Sequence, residues 1–318
     1  MARTRAGATT AGSTTAATAA TAATAAAAAA ATATVSGPTA GPAGSPRPVD
    51  AVRCEAVTRF YRSAAGETHA LRGVDARFAP GSVSCVVGPS GSGKSSLLAV
   101  LALREVPDGG QVWLDGRATV PGTGADRRRW RRRTVAWVPQ RATHALLPHL
   151  TAAEHVAAVA RLRGARVDAD DVLEEVGLGP RRHARPGRMS GGEQQRLAVV
   201  LAGVGDPPVV VADEPTAELD DEAAALVLAR LRRSAAAGAC VVVSTHDARV
   251  TAAVDRVLLL RHGVLSTDAR QGGGAETVLD STGRLQLPPD ALALFPDGRA
   301  VVVVADGEVR LRPPAGPS

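Results

Sequence analysis

The sequence predicts an α/β fold built on a parallel sheet, and three stretches carry that expectation. Val83, Cys85, Val86 and Val87 form a short, largely β-branched run that stops at Gly88 and leads into a glycine-rich loop. Pro208 to Ala212 and Cys240 to Ser244 are two more such runs, ending in Asp213-Glu214 and in Thr245-His246-Asp247. Apolar runs without alternation suit strands buried on both faces, as in parallel sheets covered by helices. Such sheets bind ligands at the carboxyl ends of their strands, where these polar residues fall.

Taken in order, the chain opens with 48 residues that are nearly all Ala, Thr, Gly, Ser and Pro. They have no amphipathic stripe and cannot bury enough surface to offset their ordering entropy, so a disordered tail is expected over 1–48. Arg3 and Arg5 ahead of the alanines also suit a signal peptide, but the leucine-rich centre is missing. From Val52, VRCEAVTRFY alternates as a strand, and ALRGVDARFAPGS supplies a second. Tyr61, the chain's only tyrosine, reads either as a stacking platform for a nucleobase or as a half-buried strand aromatic.

The stretch Gly88-Pro-Ser90-Gly91-Ser-Gly93-Lys94-Ser95 fits GxxxxGK[ST] between a strand and a helix. Backbone N–H groups wrap a phosphate only where no Cβ intrudes, and the following helix aims its positive end at the same anion. Lys94 would reach the outer phosphates, and Ser95 would offer its hydroxyl to Mg²⁺. Lys94 is the only lysine in the chain; arginine's planar fork does not replace a compact ammonium here. Ser96 to Leu103 continues as an apolar helix, and Pro107 to Gly110 breaks it.

Arg127 to Arg133 reads RRRWRRR. It suits an anionic-lipid or nucleic-acid contact, or a solvated basic helix with Trp130 on its packed side. Thr134 to Pro139 is expected as a strand ending at Gln140, a neutral side chain long enough to touch a metal ion or water. Thr151 to Gly177 is helical by period, with charged breaks. Met189-Ser190-Gly191-Gly192-Glu193-Gln-Gln-Arg196 then opens a helix: Ser190 is a good N-cap and Glu193 completes the capping box. Two glycines inside the cap leave N–H groups open for a second anion contact. Asp213 would anchor Mg²⁺ through water, Glu214 would polarise an attacking water, and His246 suits a γ-phosphate contact or a structural role.

A net charge of +6 weakly favours an anionic partner. The three cysteines are unclustered and read as buried hydrophobes in a reducing cytosol. No long apolar run is present, so no bilayer span is expected.

In family order, these residues resemble the ATP-binding subunits of ABC transporters over 50–268. GPSGSGKSS is similar to Walker A, Gln140 to the Q-loop, MSGGEQQR to the signature, VVVADEPT to Walker B and its glutamate, AELD through Asp220 to the D-loop, and STHD to the His switch. Met189, Glu193 and Pro139 depart from the family's usual Leu, Gln and Phe without removing a catalytic group. The resemblance implies a P-loop NTPase of the ABC type over 49–268, with a RecA-like core, an antiparallel β subdomain and a helical subdomain. It implies ATP and Mg²⁺ bound by Gly88, Ser90, Gly91, Gly93, Lys94, Ser95 and Ser96, with Tyr61 stacking on adenine. Gln140, Glu214 and His246 are the implied catalytic residues, and Ser95, Gln140 and Asp213 the metal contacts. Ser190, Gly191, Gly192 and Asp220 would meet nucleotide across a head-to-tail dimer that drives a separate permease from the cytoplasmic membrane face. The wording is most similar to the lipoprotein-release and macrolide-efflux branch. Rival ATPases of DNA repair or the ribosome would carry coiled-coil or zinc inserts, or tandem cassettes, and no nucleic acid is expected as a partner. An inactive regulatory binder is opposed by Glu214 and His246.

After Asp268, residues 269–274 read as a linker and 275–318 as a small β-hairpin-rich domain, with turn signals at Asp297-Gly298 and Asp306-Gly307. Its strand, Gly-Arg, strand, Pro, short helix and closing hairpin resemble the AbrB-type swapped-hairpin domain. About forty residues bury too little alone, so the segment should dimerise or dock.

Overall fold

A computed structural model describes residues 50–63, 66–119, 122–271, 275–279, 285, 287, 289–295, 299–305 and 308–312. The expected tail over 1–48 lies outside them. One compact unit spans residues 45–286, and residues 287–318 belong to a second.

In the larger unit the uninterrupted apolar runs become the buried strands of a seven-stranded sheet. Its members are β3 (Val83–Val87), β6 (Val135–Val138), β7 (Val209–Asp213), β8 (Cys240–Ser244), β9 (Arg256–Arg261), β10 (Val264–Arg270) and β11 (Ala275–Thr277), in the order β11-β10-β9-β3-β8-β7-β6. From β9 to β6 all neighbours pair in parallel, and β10 and β11 add an antiparallel edge. The alternating N-terminal stretches form a four-stranded antiparallel sheet in the order β2-β1-β4-β5, from β1 (Val52–Ser63), β2 (Gly66–Phe78), β4 (Gly109–Leu114) and β5 (Arg117–Ala118).

The period-two geometry of the strands divides the core into two clusters. Val210, Ala212, Val241 and Val243 face Leu197 and Leu231 on one side of the sheet. Val209, Val211, Cys240 and Val242 face Leu97, Leu98 and Phe78 on the other. Each fully buried valine contributes about 1.5–3 kcal/mol. All three cysteines are buried and unpaired, and burial above all pushes each thiol up to about 12, so they stay neutral.

The helices are α1 (Lys94–Leu101), α2 (Gly124–Arg133), α3 (Ala152–Arg163), α4 (Ala169–Glu174), α5 (Gly191–Gly203), α6 (Asp221–Ala236) and α7 (Ala248–Ala252). The stretch expected to be helical over 151–177 is two helices, because Gly164 turns left-handed at φ 71 and ends α3. On α2, Trp130 packs against the second cluster, while Arg128, Arg129, Arg132 and Arg133 are exposed. Arg127 and Arg131 turn back, donating to the carbonyls of Gly122 and Leu103. Among the described residues no helix is long and apolar enough to cross a membrane.

The expected domain boundary moves. β10 runs through Arg270, and Ala275–Thr277 pairs on it, Thr277 opposite Thr267. Two residues assigned to a linker and three assigned to the C-terminal domain therefore extend the sheet, because pairing on an open edge satisfies backbone groups that a free linker would leave to water. Glycines 272–274 lie outside the described residues. The second unit contains a short helix α8 (Pro289–Leu292) and a hairpin of β12 (Val301–Ala305) and β13 (Glu308–Arg312), with Ala305 opposite Glu308. The turn signals at 297–298 and 306–307 lie outside the described residues.

Candidate active site

At the end of β3 the chain enters the glycine-rich loop under tight packing. A Cβ on Gly88 (φ 152) would lie 2.1 Å from the Leu260 carbonyl oxygen, and one on Gly93 (φ 103) 2.2 Å from that of Ala70. These two glycines are thus also required by the backbones of β9 and β2 behind the loop. No side chain caps the N-terminus of α1, so its first N–H groups are directed to the loop's concavity. Lys94 is buried, and its ammonium donates to the carbonyls of Gly88 (2.8 Å) and Pro89 (3.0 Å). Ser92 Oγ is buried there without a partner among the described residues.

The facing wall is built where β7 and β8 end. Ser244 Oγ donates to Asp213 Oδ1 at 2.5 Å, and the Glu214 N–H donates to the Ser244 carbonyl at 3.1 Å. Glu214 has φ 49, a left-handed conformation that costs a non-glycine residue about 1–3 kcal/mol and concentrates at functional sites. Its carboxylate accepts from the His246 N–H at 3.3 Å and lies 3.4 Å from His246 Nε2. The candidate base Glu214 and His246 therefore touch.

Between the walls lies a cleft of about 370 Å³ lined by Ser90, Gly91, Gly93, Lys94, Ser95 and Ser96 on one side and by Gln140, Glu214 and His246 on the other. Gln140 also lines an adjoining cleft of about 690 Å³ that contains Asp213. The sequence-predicted phosphate, metal and catalytic residues thus converge, except that Gly88 stands behind the cleft, its carbonyl accepting from Lys94, and Asp213 lies one cleft away through Gln140. Among the described residues no three His, Cys, Asp or Glu side chains form a metal cluster. The hydroxyl, amide and carboxylate that are present suit a hard cation taking its remaining ligands from phosphate and water.

Ser190, Gly191, Gly192 and Asp220 do not line this cleft. Ser190 caps α5: the Glu193 N–H donates to Ser190 Oγ (3.2 Å), and the Ser190 N–H to Glu193 Oε2 (2.8 Å). Partial burial works to raise the Glu193 pKa, but the Ser190 N–H and Arg181 outweigh it and hold the carboxyl below its ordinary value. The N–H groups of Gly191 and Gly192 are outside this box. Asp220 caps α6, accepting from the Ala223 N–H at 2.8 Å. Tyr61 stands at the rim, its hydroxyl 3.1 Å from Ser96 Oγ and 2.7 Å from Glu105 Oε2. Glu105 escaped the sequence reading, since a lone glutamate after a helix carries no motif, and Ser244 entered it only as the first letter of STHD, with no sign of its bond to Asp213.

The model of the ABC transporter family matches residues 71–217. The lipoprotein-releasing system ATP-binding protein LolD of Hyphomonas neptunium is 40% identical over 215 residues, 66% of this chain and 93% of that protein. The macrolide export ATP-binding/permease protein MacB 1/2 of Paracoccus denitrificans is 38% identical over 229 residues, 70% of this chain but 34% of that larger protein. Among solved structures, the dimeric post-hydrolysis state of the ATP-binding cassette MJ0796 bound to ADP and Pi is similar at a TM-score of 0.64 and 30% identity, covering 69% of this chain and 98% of that one. With its phosphate loop, Gln140, Glu214 and His246 gathered at one cleft and its matched stretch spanning nearly the whole of LolD, the chain belongs to the ABC transporter family as an ATP-binding, ATP-hydrolysing subunit.

Proposed function

We propose that two copies close head to tail, each ATP lying between the phosphate loop of one and Ser190–Gly192 of the other, and that closure drives a separate permease at the cytoplasmic face of a membrane. One observation carries this reading: the cleft gathers Lys94, Ser95, Gln140, Glu214 and His246, while the capped start of α5 stands outside it with the Gly191 and Gly192 N–H groups unused by the box. A second chain would bring those donors to the γ-phosphate. Glu214 would accept a proton from the attacking water, Lys94 would hold the outer phosphates, and His246 would orient the γ-phosphate side. Tyr61 would stack on adenine. Mg²⁺ would be held by Ser95 and Gln140, with Asp213 acting through water, and when bound it neutralises phosphate charge. The LolD and MacB similarities support cargo of the lipoprotein or hydrophobic-export class.

Glu214→Gln tests the core of this reading. Hydrolysis should fall by roughly 10²-fold or more while ATP binding persists, and size-exclusion chromatography should show an ATP-dependent dimer that Ser190→Arg abolishes. A variant that hydrolyses at the parent rate, or stays monomeric with ATP, counts against it.

The outward arginines of α2 support contact with an anionic membrane surface. Replacing Arg128, Arg129, Arg132 and Arg133 with Gln should weaken co-sedimentation with phosphatidylglycerol vesicles at low salt and leave ATPase activity in solution intact. Equal co-sedimentation would make α2 a solvated basic helix. For the second unit, the helix and closing hairpin support a small module that pairs with a copy of itself, in the manner of an AbrB-type domain. A monomeric profile for residues 287–318 by light scattering would oppose that.

A further inference from the structure

The Tyr61 side chain is held at several points, by Ser96 of the phosphate loop and by Glu105 and Arg59, which no sequence motif marks. Its hydroxyl proton goes to Glu105 Oε2 at 2.7 Å, leaving the oxygen to accept from Ser96 Oγ at 3.1 Å. The same Glu105 oxygen accepts from Arg59 Nε at 2.8 Å. Arg59 in turn donates to Asp108 Oδ2 at 2.9 Å, which also accepts the Phe60 N–H at 2.9 Å. The Arg59 guanidinium carbon stands 4.7 Å from the centroid of the Tyr61 ring, closing one face with a cation. β1 shifts register between Arg59 and Phe60, a feature that re-aims the side chains beyond it. Burial works to lower the Arg59 pKa, but the bonds to Glu105 and Asp108 overcome it, and burial followed by Glu105 raises that of Tyr61, so both stay protonated as donors.

We propose that Glu105 is a positioning residue for nucleotide binding: with Arg59 it fixes the Tyr61 ring above the first turn of α1, one face closed by the guanidinium and the other presented to the base. This rests on the reading of Tyr61 as the stacking residue. A ring tied at its hydroxyl and along one face has already lost the freedom that stacking would otherwise remove, so the base gains affinity without touching Glu105. Because Ser96 joins the same hydroxyl, the platform is indexed to the phosphate loop, and base and phosphates are measured from one helix turn.

The test compares ATP with inorganic tripolyphosphate, a probe with the charge but no base, by titration calorimetry on the full chain with Mg²⁺. Glu105→Gln, of equal size but neutral, and Glu105→Ala should each weaken ATP about 3- to 10-fold and leave tripolyphosphate within about twofold. KM for ATP should rise by a similar factor with kcat nearly unchanged, and Arg59→Ala should show the same split. Equal losses for both probes would mean that Glu105 merely supports the phosphate loop, and no loss for ATP would leave it without a positioning role; either overturns the proposal. Tyr61→Ala separates the two claims, since stacking predicts about a 5-fold or greater loss for ATP alone. If Tyr61→Ala behaves so and the Glu105 variants do not, only the positioning role falls; if Tyr61→Ala has no effect, stacking and positioning fall together.

Discussion

The starts of α1 and α5 are both glycine-rich, yet they are finished in opposite ways. At α1 the N-cap is Gly93 in a left-handed conformation with no side-chain cap, and the one cation of the first turn, Lys94, folds back on the carbonyls before it. At α5, Ser190 and Glu193 close a reciprocal box with Arg181 braced behind. Boxes of the same kind close α2, through Thr123 and Asp126, and α3, through Thr151 and Glu154. The difference separates two uses of one dipole. Under the proposed function, the helix start that holds phosphate bound to the same chain keeps its donors free of side chains, whereas the one that meets the partner's nucleotide satisfies two of its leading N–H groups through the box and leaves those of Gly191 and Gly192.

Three measurements bear on this contrast, from the largest effect to the smallest. Lys94→Ala should lower ATP affinity by about 10²-fold or more, since the outer phosphates lose a charge-assisted contact that no other residue of the loop replaces; unchanged binding by calorimetry would place the anion site elsewhere. Ser190→Ala should leave ATP binding to the single chain intact while costing about 1 kcal/mol of stability in urea unfolding. No loss there would mean that the box at α5 does not hold the helix.

The third concerns the capped start of α3. His155 is buried, with Nδ1 2.8 Å from the Thr151 carbonyl and Nε2 accepting the Leu147 N–H at 2.8 Å. Burial first, and then nearby His149, lower its pKa below the ordinary 6.5, against opposing contributions from the Thr151 carbonyl and Glu154. Its neutral form is the one that folds, so the stability it contributes is present above 6.5 and is lost as pH falls through the lowered value. The parent should therefore lose stability more steeply than His155→Gln as pH falls below about 6.5, by at most about 1.4 kcal/mol per pH unit. Parallel slopes would show that His155 does not titrate against the fold.

The sheet and the phosphate loop were legible because their chemistry forces residue types into fixed order: β8 occupies the expected Cys240–Ser244, and the glycine-lysine loop lies between β3 and α1. The edge strand was not. Gln271 and the glycines after it look like a linker, and only pairing on β10 makes Ala275–Thr277 part of the sheet. The basic run was half legible. Its composition announced a charged helix, but only the helical setting shows that Arg127 and Arg131 turn inward with Trp130 while four others stay out. Least legible was the Tyr61 network, whose partners lie 35 and 44 residues away and meet through folding alone.

Lys94 is the only lysine of the chain. Apart from the α-amino group, its ε-nitrogen is the chain's one primary amine, and it is buried in the phosphate loop. Every other cationic side chain that keeps its charge at high pH is an arginine, which resists acylation under conditions that modify amines. A stable side-chain amide from amine acylation can therefore form at a single place, where it would cancel the charge that the loop presents. Most proteins spread such chemistry over a tolerant surface; here it is concentrated on the atom least able to bear it.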